Sequence, residues 1–292
     1  MTLDLSHLAA TVKEEAFNDA PTRIRFAQTE RWVEYSRGRL ALEELERRFQ
    51  YPTCARMPCM LLYGDSGMGK TMLIEKMQRQ HPDSLHERRG VRMRPVLRVQ
   101  MTASPDERRF YTRLLELLGA PYTSHDQIGA LEGRVLHILH EICTKLLCID
   151  EVNHLLAGTH REQRRALNLL KFMANELRIA VIAVGTIDAF HAIQIDSQVA
   201  SRFAPLFLPH WTEVDGFRGF VTGFGRLLPL RKASPFGDAQ MIRTLLDLSG
   251  GITGNVTELL ARAAEAAILD GSESIDPAML VKHHDRLRAA AS

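Results

Sequence analysis

Short apolar runs recur through the middle of the chain and are separated by amphipathic stretches. Residues 59–63, 146–149 and 179–184 are continuously apolar, and 96–100 is a further candidate strand. Continuous apolar runs of about four to eight residues are typical of strands buried on both faces, which occur in parallel sheets covered by helices. The pattern therefore predicts an α/β fold with a parallel sheet flanked by helices.

Helices are predicted between these strands because apolar residues recur there at helical spacing. The second helix has a typical start, Ser104 followed by Pro105, and a typical stop at Gly119. Residues 81–95 are interpreted as a loop, and a last short strand is expected at 206–208. The helices are predicted at 71–80, 104–118, 127–143 and 160–177.

The two ends of the chain differ from its alternating middle. Residues 1–50 are polar and helix-compatible, and beyond Trp211 amphipathic helices follow one another without a strand pattern. We expect a helical arm over 1–50 that packs on the central domain or on a neighbouring subunit, an α/β domain over 51–212, and a small helical lid over 213–292. The lid helices are expected near 214–227, 238–248, 254–269 and 276–290.

A glycine-rich turn at 64–71 connects the first apolar run to the first helix and fits the P-loop pattern. Glycines allow backbone N–H groups to converge on phosphate oxygens, and the helix N-terminus adds the positive end of a dipole. We expect Lys70 to reach the β- and γ-phosphates, and Thr71 to bind Mg²⁺ through its hydroxyl. The predicted nucleotide-binding residues here are Gly64, Asp65, Ser66, Gly67, Met68, Gly69, Lys70, Thr71 and Met72.

The apolar strand at 146–150 ends in two carboxylates, Asp150 and Glu151. Ligands of open parallel sheets bind at the carboxyl ends of the strands, and this arrangement is the Walker B pattern. Asp150 is expected to bind the nucleotide's Mg²⁺ through water, and Glu151 to polarise the water that attacks the γ-phosphate. Without the P-loop upstream, the pattern would equally suit a strand that ends in surface acids.

The strand at 179–184 is followed by Gly185 and Thr186. The Thr186 hydroxyl is a candidate hydrogen-bond partner for the attacking water or the γ-phosphate. The alternative is a simple strand-ending turn.

Composition and charge narrow the class of protein without identifying a partner. The formal net charge is +2, with 45% hydrophobic and 25% charged residues, as in ordinary globular proteins. No apolar run approaches the ~20 residues of a membrane helix, and the N-terminus does not resemble a signal peptide. The four cysteines lack Cys-x-x-Cys spacing, so we interpret them as reduced thiols of a cytoplasmic protein, with a zinc site shared with histidines as the alternative.

Arginines are concentrated in a few stretches although the whole chain is nearly neutral. A locally basic surface binds duplex DNA mainly by neutralising phosphates, with little reading of bases. The alternative is that these arginines pair with acids such as Glu107, Glu116 or Glu162 on solvated faces. The candidate DNA contacts are Arg92, Arg94, Arg108, Arg109, Arg113, Arg161, Arg164 and Arg165.

The order of these features resembles AAA+ ATPases: a P-loop, an Asp-Glu Walker B pair, a polar residue after the next strand, a later arginine and a helical lid. Within that class the chain resembles the TniB/TnsC family of transposition regulators, over most of residues 20–270. The stretches that carry this closer resemblance are Arg56-Met57-Pro58 before the P-loop, Arg109-Phe110-Tyr111, and 150–158 with Arg161-Glu162-Gln163-Arg164.

The resemblance implies an ATP- and Mg²⁺-dependent homo-oligomer that forms rings or helical filaments on double-stranded DNA. It also implies regulation of a DDE transposase of the TniA/TnsB type, together with a TniQ-like adaptor. By position, Thr186 would be the first sensor, and Arg202 an arginine finger that enters the next subunit's site. The alternative for Arg202 is a surface or core-capping role.

One position departs from the AAA+ pattern. Many AAA+ proteins carry a second-sensor arginine after the turn that corresponds to 249–253, and this chain has Gly254 and Asn255 there. The departure predicts slow hydrolysis and weak reporting of nucleotide state by the lid. Lys70, Glu151, Thr186 and Arg202 are thus the predicted catalytic residues.

Three alternative functions compete with this interpretation. A helicase loader, or the helper ATPase of a different insertion element, would share the fold and differ in its protein partner. A small-molecule P-loop kinase would be monomeric, would have a compact acceptor pocket, and would not need Arg202 from a second subunit.

Overall fold

The structure is a computed structural model that describes residues 4–88, 90–101, 106–156, 160–214 and 216–291. The chain forms two compact units. The sheet unit comprises 40–66 and 70–208, and the helical unit comprises 1–39, 67–69 and 209–292. No helix in the described ranges is both long and apolar enough to cross a bilayer.

The strands are β1 (Cys59–Tyr63), β2 (Ser84–His86), β3 (Val91–Met93), β4 (Val96–Gln100), β5 (Leu146–Asp150), β6 (Ala180–Gly185) and β7 (Phe203–Phe207). Five of them form a parallel sheet in the order β4–β5–β6–β1–β7. Every residue of β5 and β6 is buried, as expected for strands covered on both faces. The three continuously apolar runs of the sequence therefore form β1, β5 and β6, the central strands of the sheet.

The helices are α1 (Ala20–Gln28), α2 (Ser36–Phe49), α3 (Lys70–Gln80), α4 (Glu107–Leu118), α5 (Ile128–Glu141), α6 (His160–Glu176), α7 (Ile187–Ile195), α8 (Ser197–Ala200), α9 (Phe217–Gly225), α10 (Ala239–Ser249), α11 (Thr253–Leu269) and α12 (Pro277–Ala291). A short 3-10 helix, Val152–Leu156, follows β5. The helix start expected at Ser104 and Pro105 lies outside the described residues. In the described part, α4 begins at Glu107, with the Asp106 carboxylate accepting the Arg108 N–H, and ends at left-handed Gly119.

The stretch interpreted as the loop 81–95 contains the antiparallel hairpin β2–β3. Gly90 has φ +63° and its N–H donates to the His86 carbonyl, so the glycine allows the tight turn. Each strand is only three residues long and largely exposed. The apolar pattern was therefore too short to indicate it.

The core of the sheet unit lies between the sheet and its covering helices. Leu97, Val99 and Ile149 from the strands pack with Phe110 and Leu114 of α4. Burying each such side chain contributes about 1.5–3 kcal/mol. The sheet is thereby held rigidly, with the carboxyl ends of β1, β5 and β6 at one edge.

The helical unit has a core of its own, built from both ends of the chain. Trp211, Phe217 and Leu260 are buried together with Ala27 and Val33 from the N-terminal segment. The described N-terminal residues up to Arg39 therefore share a core with the C-terminal helices. No local pattern indicates this grouping, because apolar residues of the N-terminal segment are sparse and their partners lie about two hundred positions away.

Candidate nucleotide-binding site

The turn between β1 and α3 requires glycine for steric reasons. Gly64 has φ +156°, and a Cβ added there would lie 2.5 Å from the Leu208 carbonyl oxygen. Gly67 and Gly69 adopt φ +77° and +86°, a region that other residues enter at a cost. The turn can therefore curl tightly at the carboxyl end of β1, which leaves its backbone N–H groups available to an anion.

Lys70 is the first residue of α3 and lies against the turn itself. Its Nζ donates to the carbonyl oxygens of Gly64 at 2.9 Å and Asp65 at 2.7 Å. Burial lowers the pKa of Lys70, while the negative charges of Glu151, Asp150 and Asp65 act in the opposite direction. The ammonium group is thus held beside the turn that would bind the phosphates.

Thr71 and Asp150 come together although 79 positions separate them. The Thr71 hydroxyl donates to Asp150 Oδ2 at 3.0 Å, and the Glu151 N–H donates to Oδ1 at 3.0 Å. A hydroxyl beside a carboxylate is a pair of hard oxygen ligands of the kind that Mg²⁺ prefers. Within the described ranges, no group of three or more His, Cys, Asp or Glu residues is arranged to hold a metal ion.

Glu151 adopts a left-handed backbone with φ +59°, which is uncommon for a residue other than glycine and is found preferentially at functional sites. Its carboxylate accepts a hydrogen bond from Asn153 Nδ2 at 3.1 Å. Among the described residues, the buried Asn153 Oδ1 has no hydrogen-bond partner. Sequence reasoning did not assign Asn153 a role, although it lies two residues after the Walker B pair and within the 150–158 stretch that carries the closer family resemblance.

Thr186 caps the amino end of α7, and its buried Oγ1 has no partner within the described part of the chain. The preceding Gly185 packs closely on the segment after β5, because a Cβ there would lie 2.8 Å from Val152 Cγ2. The structure therefore brings Thr186 to the edge of the sheet that also carries Asp150 and Glu151. A buried hydroxyl without a partner favours a ligand-contacting role over a simple turn.

Arg202 lies at the opposite end of the strands from the P-loop, where β1 and β7 begin. It immediately precedes β7, whose first residue Phe203 is aligned with Cys59, the first residue of β1. The length of a five-residue strand, about 16 Å, thus separates Arg202 from the P-loop of its own chain. Its guanidinium donates to Asn175 Oδ1 of α6. The structure does not bring Arg202 together with the other three predicted catalytic residues.

The position of the second sensor is occupied by backbone. The Gly254 N–H donates to the Gly67 carbonyl at 2.8 Å, and a Cβ at Gly254 would lie 3.3 Å from that oxygen. Asn255 Nδ2 donates a hydrogen bond to the Ser249 carbonyl oxygen at 3.0 Å. Within the helical unit, the first turn of α11 therefore contacts the P-loop residue Gly67 directly, and that turn contains no cationic residue.

The arginines predicted to contact DNA fall into two groups. Several have partners: Arg92 and Arg94 approach Asp83, and Arg113 pairs with Glu116 at 3.2 Å. The three on α6 are exposed as well, and within the described part of the chain no carboxylate pairs with them; the side chain of Glu162, the acid expected as a partner, lies outside that part. The α6 group consists of Arg161, Arg164 and Arg165.

Two other members of the predicted set, both on α4, are also engaged. Arg108 donates to the carbonyls of Ser124 and Asp126, which holds the loop before α5. Arg109 is 64% exposed and lies 3.9 Å from Asp106. Pairing with neighbouring groups is therefore common in this set, as the alternative interpretation proposed.

The architecture is similar to that of known AAA+ structures. The ORC1 protein of Aeropyrum pernix in complex with DNA matches at a TM-score of 0.65 and 16% identity, over 90% of this chain and 69% of that one. The ORC2 protein of the same organism, in ADPNP–ADP complexes, matches at 0.62 and 17%, over 88% and 71%. A Walker-type ATPase of Pyrococcus abyssi matches at 0.60 and 13%, over 91% and 77%. These likenesses confirm the predicted AAA+ fold.

The sequence comparison is more specific than the structural one. No curated protein matches the sequence. The family model described as bacterial TniB protein, however, matches residues 23–213, a stretch that contains the P-loop, the Walker B pair, Thr186 and Arg202. The chain therefore belongs to the TniB family, with an AAA+ fold.

Proposed function

We propose that this protein is a Mg²⁺-dependent ATPase whose ATP-bound form assembles on double-stranded DNA and there recruits and activates a DDE transposase. The observation that carries the proposal is the 3.0 Å hydrogen bond between Thr71 and Asp150, which places the two motifs in one site beside Lys70. Membership of the TniB family supports the link to transposition.

The residues of this site have separable roles in hydrolysis. Lys70 neutralises the β- and γ-phosphates, and Glu151 polarises the attacking water. Thr71 and Asp150 would hold Mg²⁺, which when bound neutralises charge on the phosphate oxygens. Thr186 offers its unpartnered hydroxyl to the water or the γ-phosphate. Because no cation replaces the second sensor at Gly254, we expect turnover to be slow.

The place of Arg202 favours a site completed by a second subunit. It lies about one strand length, ~16 Å, from the P-loop of its own chain, too far to contact the same phosphates. Its bond to Asn175 holds the half-buried guanidinium against α6. An oligomer, either a ring or a TnsC-like filament, would then hydrolyse ATP at its subunit interfaces.

The exposed arginines of α6 favour duplex DNA as the surface on which the oligomer forms. Each subunit needs only two or three phosphate contacts, because the assembly multiplies them. Binding of this kind is largely independent of base sequence and falls steeply with salt. A TniQ-like adaptor and the transposase are the proposed protein partners, in the cytoplasm.

The test is duplex DNA binding by the purified full chain with ATP, with ADP and without nucleotide, at several salt concentrations. We expect tight, salt-sensitive, cooperative binding with ATP only. Glu151→Gln should hydrolyse ATP at least ~10²-fold more slowly and should remain on DNA as persistent oligomers. Equal binding under the three nucleotide conditions would contradict the proposal.

Two charge variants, one on α6 and one at an arginine that already has a carboxylate partner, test the DNA surface. The triple change of Arg161, Arg164 and Arg165 to Gln should abolish binding and flatten its salt dependence, while DNA-independent ATP binding is retained. The control is Arg113→Gln, which removes an arginine already paired with Glu116. Capture by a transposase or by a replicative helicase then distinguishes the proposed role from helicase loading.

A further inference from the structure

A cation lies beside the predicted metal ligand Asp150, and no motif of the sequence points to it. We propose that Arg98 is a positioning residue that holds the Asp150 carboxylate in the nucleotide-free protein and opposes metal binding until nucleotide arrives. The inference rests on the proposed function, because it concerns regulation of the same site.

Arg98 occupies an unusual place for a charged residue. It is the middle residue of β4, aligned with Cys148 of β5, and its neighbours Leu97 and Val99 belong to the buried core. Since successive side chains of a strand alternate between faces, Arg98 lies on the face opposite to those two residues. Its side chain is half-buried, and removing a charged group from water is costly unless the group is paired.

Two carboxylates provide the pairing. Arg98 Nη1 lies 3.1 Å from Glu75 Oε1 and 4.0 Å from Asp150 Oδ2. Glu75 is on α3, one helical turn after Thr71. The Asp150 oxygen near Arg98 is the same Oδ2 that accepts the Thr71 hydroxyl at 3.0 Å.

The guanidinium therefore faces the oxygen that a metal ion would use. A divalent cation at that oxygen would be repelled by Arg98, and Glu75 holds Arg98 by the shorter contact. Arg98 should thus weaken metal binding. Glu75 should favour it, because its negative charge offsets that of Arg98. When a triphosphate is bound, its negative charge offsets the repulsion, so the metal enters mainly together with nucleotide.

The probe is Mn²⁺, measured by electron paramagnetic resonance on the full chain without nucleotide or DNA. Arg98→Met should bind Mn²⁺ at least tenfold more tightly than the natural protein. At a separation of about 6 Å, Coulomb's law for a single and a double charge gives roughly this factor even at the dielectric constant of water. Glu75→Gln should change affinity in the opposite direction, by at least about threefold on the same reasoning.

Two control variants separate this role from a structural one. Arg79→Met removes a second cation from the Glu75 cluster, because Arg79 Nη2 lies 3.6 Å from Glu75 Oε2 and is 59% exposed. Its Mn²⁺ affinity should stay within about twofold of the natural protein, since this side chain is mostly exposed and its charge is screened by solvent. Asp150→Asn should abolish the binding seen in Arg98→Met, which assigns that binding to this site.

The proposal is overturned if folded Arg98→Met binds Mn²⁺ no more tightly than the natural protein, or if no variant binds it measurably. It is also overturned if the Arg98→Met and Glu75→Gln shifts have the same sign. Should Arg98→Met fail to fold, Arg98→Lys must behave as the natural protein and Glu75→Gln must still weaken binding. The assay uses neither DNA nor ATP. Failure of this proposal can therefore be distinguished from failure of the proposed DNA-dependent function.

Discussion

The ion pair between Arg23 and Glu273 joins the two ends of the chain inside the helical unit. Arg23 donates to Glu273 Oε1 at 2.8 Å and to the Pro229 carbonyl at 3.0 and 2.7 Å. The two side chains are only 3% and 11% exposed. Glu273→Gln should therefore strongly destabilise this unit, because it leaves a buried guanidinium without its negative partner.

Removing one member of a buried, hydrogen-bonded pair costs about 3–5 kcal/mol. With a urea m-value of about 2 kcal/mol/M for a unit of this size, the midpoint should fall by roughly 2 M. Both tryptophans of the chain, Trp32 and Trp211, lie in the helical unit. Tryptophan fluorescence during urea unfolding thus reports on the unit that carries the change.

A matched control is available in the same unit. Glu258 pairs with Arg262 one helical turn away, but these side chains are 59% and 46% exposed, so Glu258→Gln should cost no more than about 0.5 kcal/mol. If the two variants shifted the midpoint equally, the buried pair would not stabilise the unit and the reasoning would be refuted.

Acid sensitivity provides an independent check of the same pair. Burial raises the pKa of Glu273, but the hydrogen bond from Arg23, the Arg231 N–H and the nearby positive charges outweigh it, so the pKa lies below its usual value of 4.5. The stability that Glu273 contributes is therefore complete above its unfolded pKa and is lost as pH falls through the folded pKa. Glu273→Gln should remove this part of the acid transition, whereas Glu258→Gln should leave it.

Three further predictions concern the site and its surroundings. Lys70→Ala should lose ATP binding, measured with a fluorescent nucleotide, because the phosphates lose their only P-loop cation. Arg202→Ala alone should lower turnover by about 10³-fold, and mixing it with Lys70→Ala should restore part of the activity if Arg202 acts in a second subunit; absence of any recovery would contradict that role. Gly254→Val should destabilise the helical unit by about 1–3 kcal/mol in urea unfolding, because its side chain would meet the Gly67 carbonyl.

Much of the sheet was predictable, because a short and continuously apolar run is stable as a strand that is buried on both faces of a parallel sheet. The runs at 59–63 and 146–149 became β1 and β5, and 96–100 became β4. The hairpin at 84–93 was missed, since its two strands are too short for a periodic pattern. The ends of the helices predicted between 71 and 177 and between 214 and 290 agree with the structure to within a few residues, which is the usual limit when capping is decided by local hydrogen bonds. The helices α7 and α8 were not predicted.

The candidate site was predictable only as a set of motifs. Lys70, Thr71 and Asp150 were named because the chemistry of phosphate and magnesium demands those residue types. Arg98 was not, since an arginine in a strand has no motif value until the fold places it beside Asp150. Asn153 lies in the 150–158 stretch, but no role was assigned to it until the fold placed it against Glu151. Their roles depend on contacts of 3 to 4 Å.

The arginines illustrate the same limit on the surface. Arg113 and Arg164 look alike in sequence, each on an amphipathic helix with acids nearby. Both side chains are exposed, but the structure pairs Arg113 with Glu116, whereas no described carboxylate pairs with Arg164. Whether a charge is available to a partner depends on which carboxylate lies within reach.

The sequence by itself determined the parallel sheet, the phosphate-binding turn and the two carboxylates at the end of β5. Each of these is encoded within about ten consecutive residues, by apolar periodicity or by glycine and acid at fixed spacing. Only the tertiary structure decided that the N-terminal segment shares a core with the C-terminal helices, that Arg202 lies at the opposite end of the strands from its own P-loop, and that Arg98 faces Asp150. Those relations join residues far apart in the chain, and they arise from packing and charge pairing in three dimensions, which no local pattern specifies.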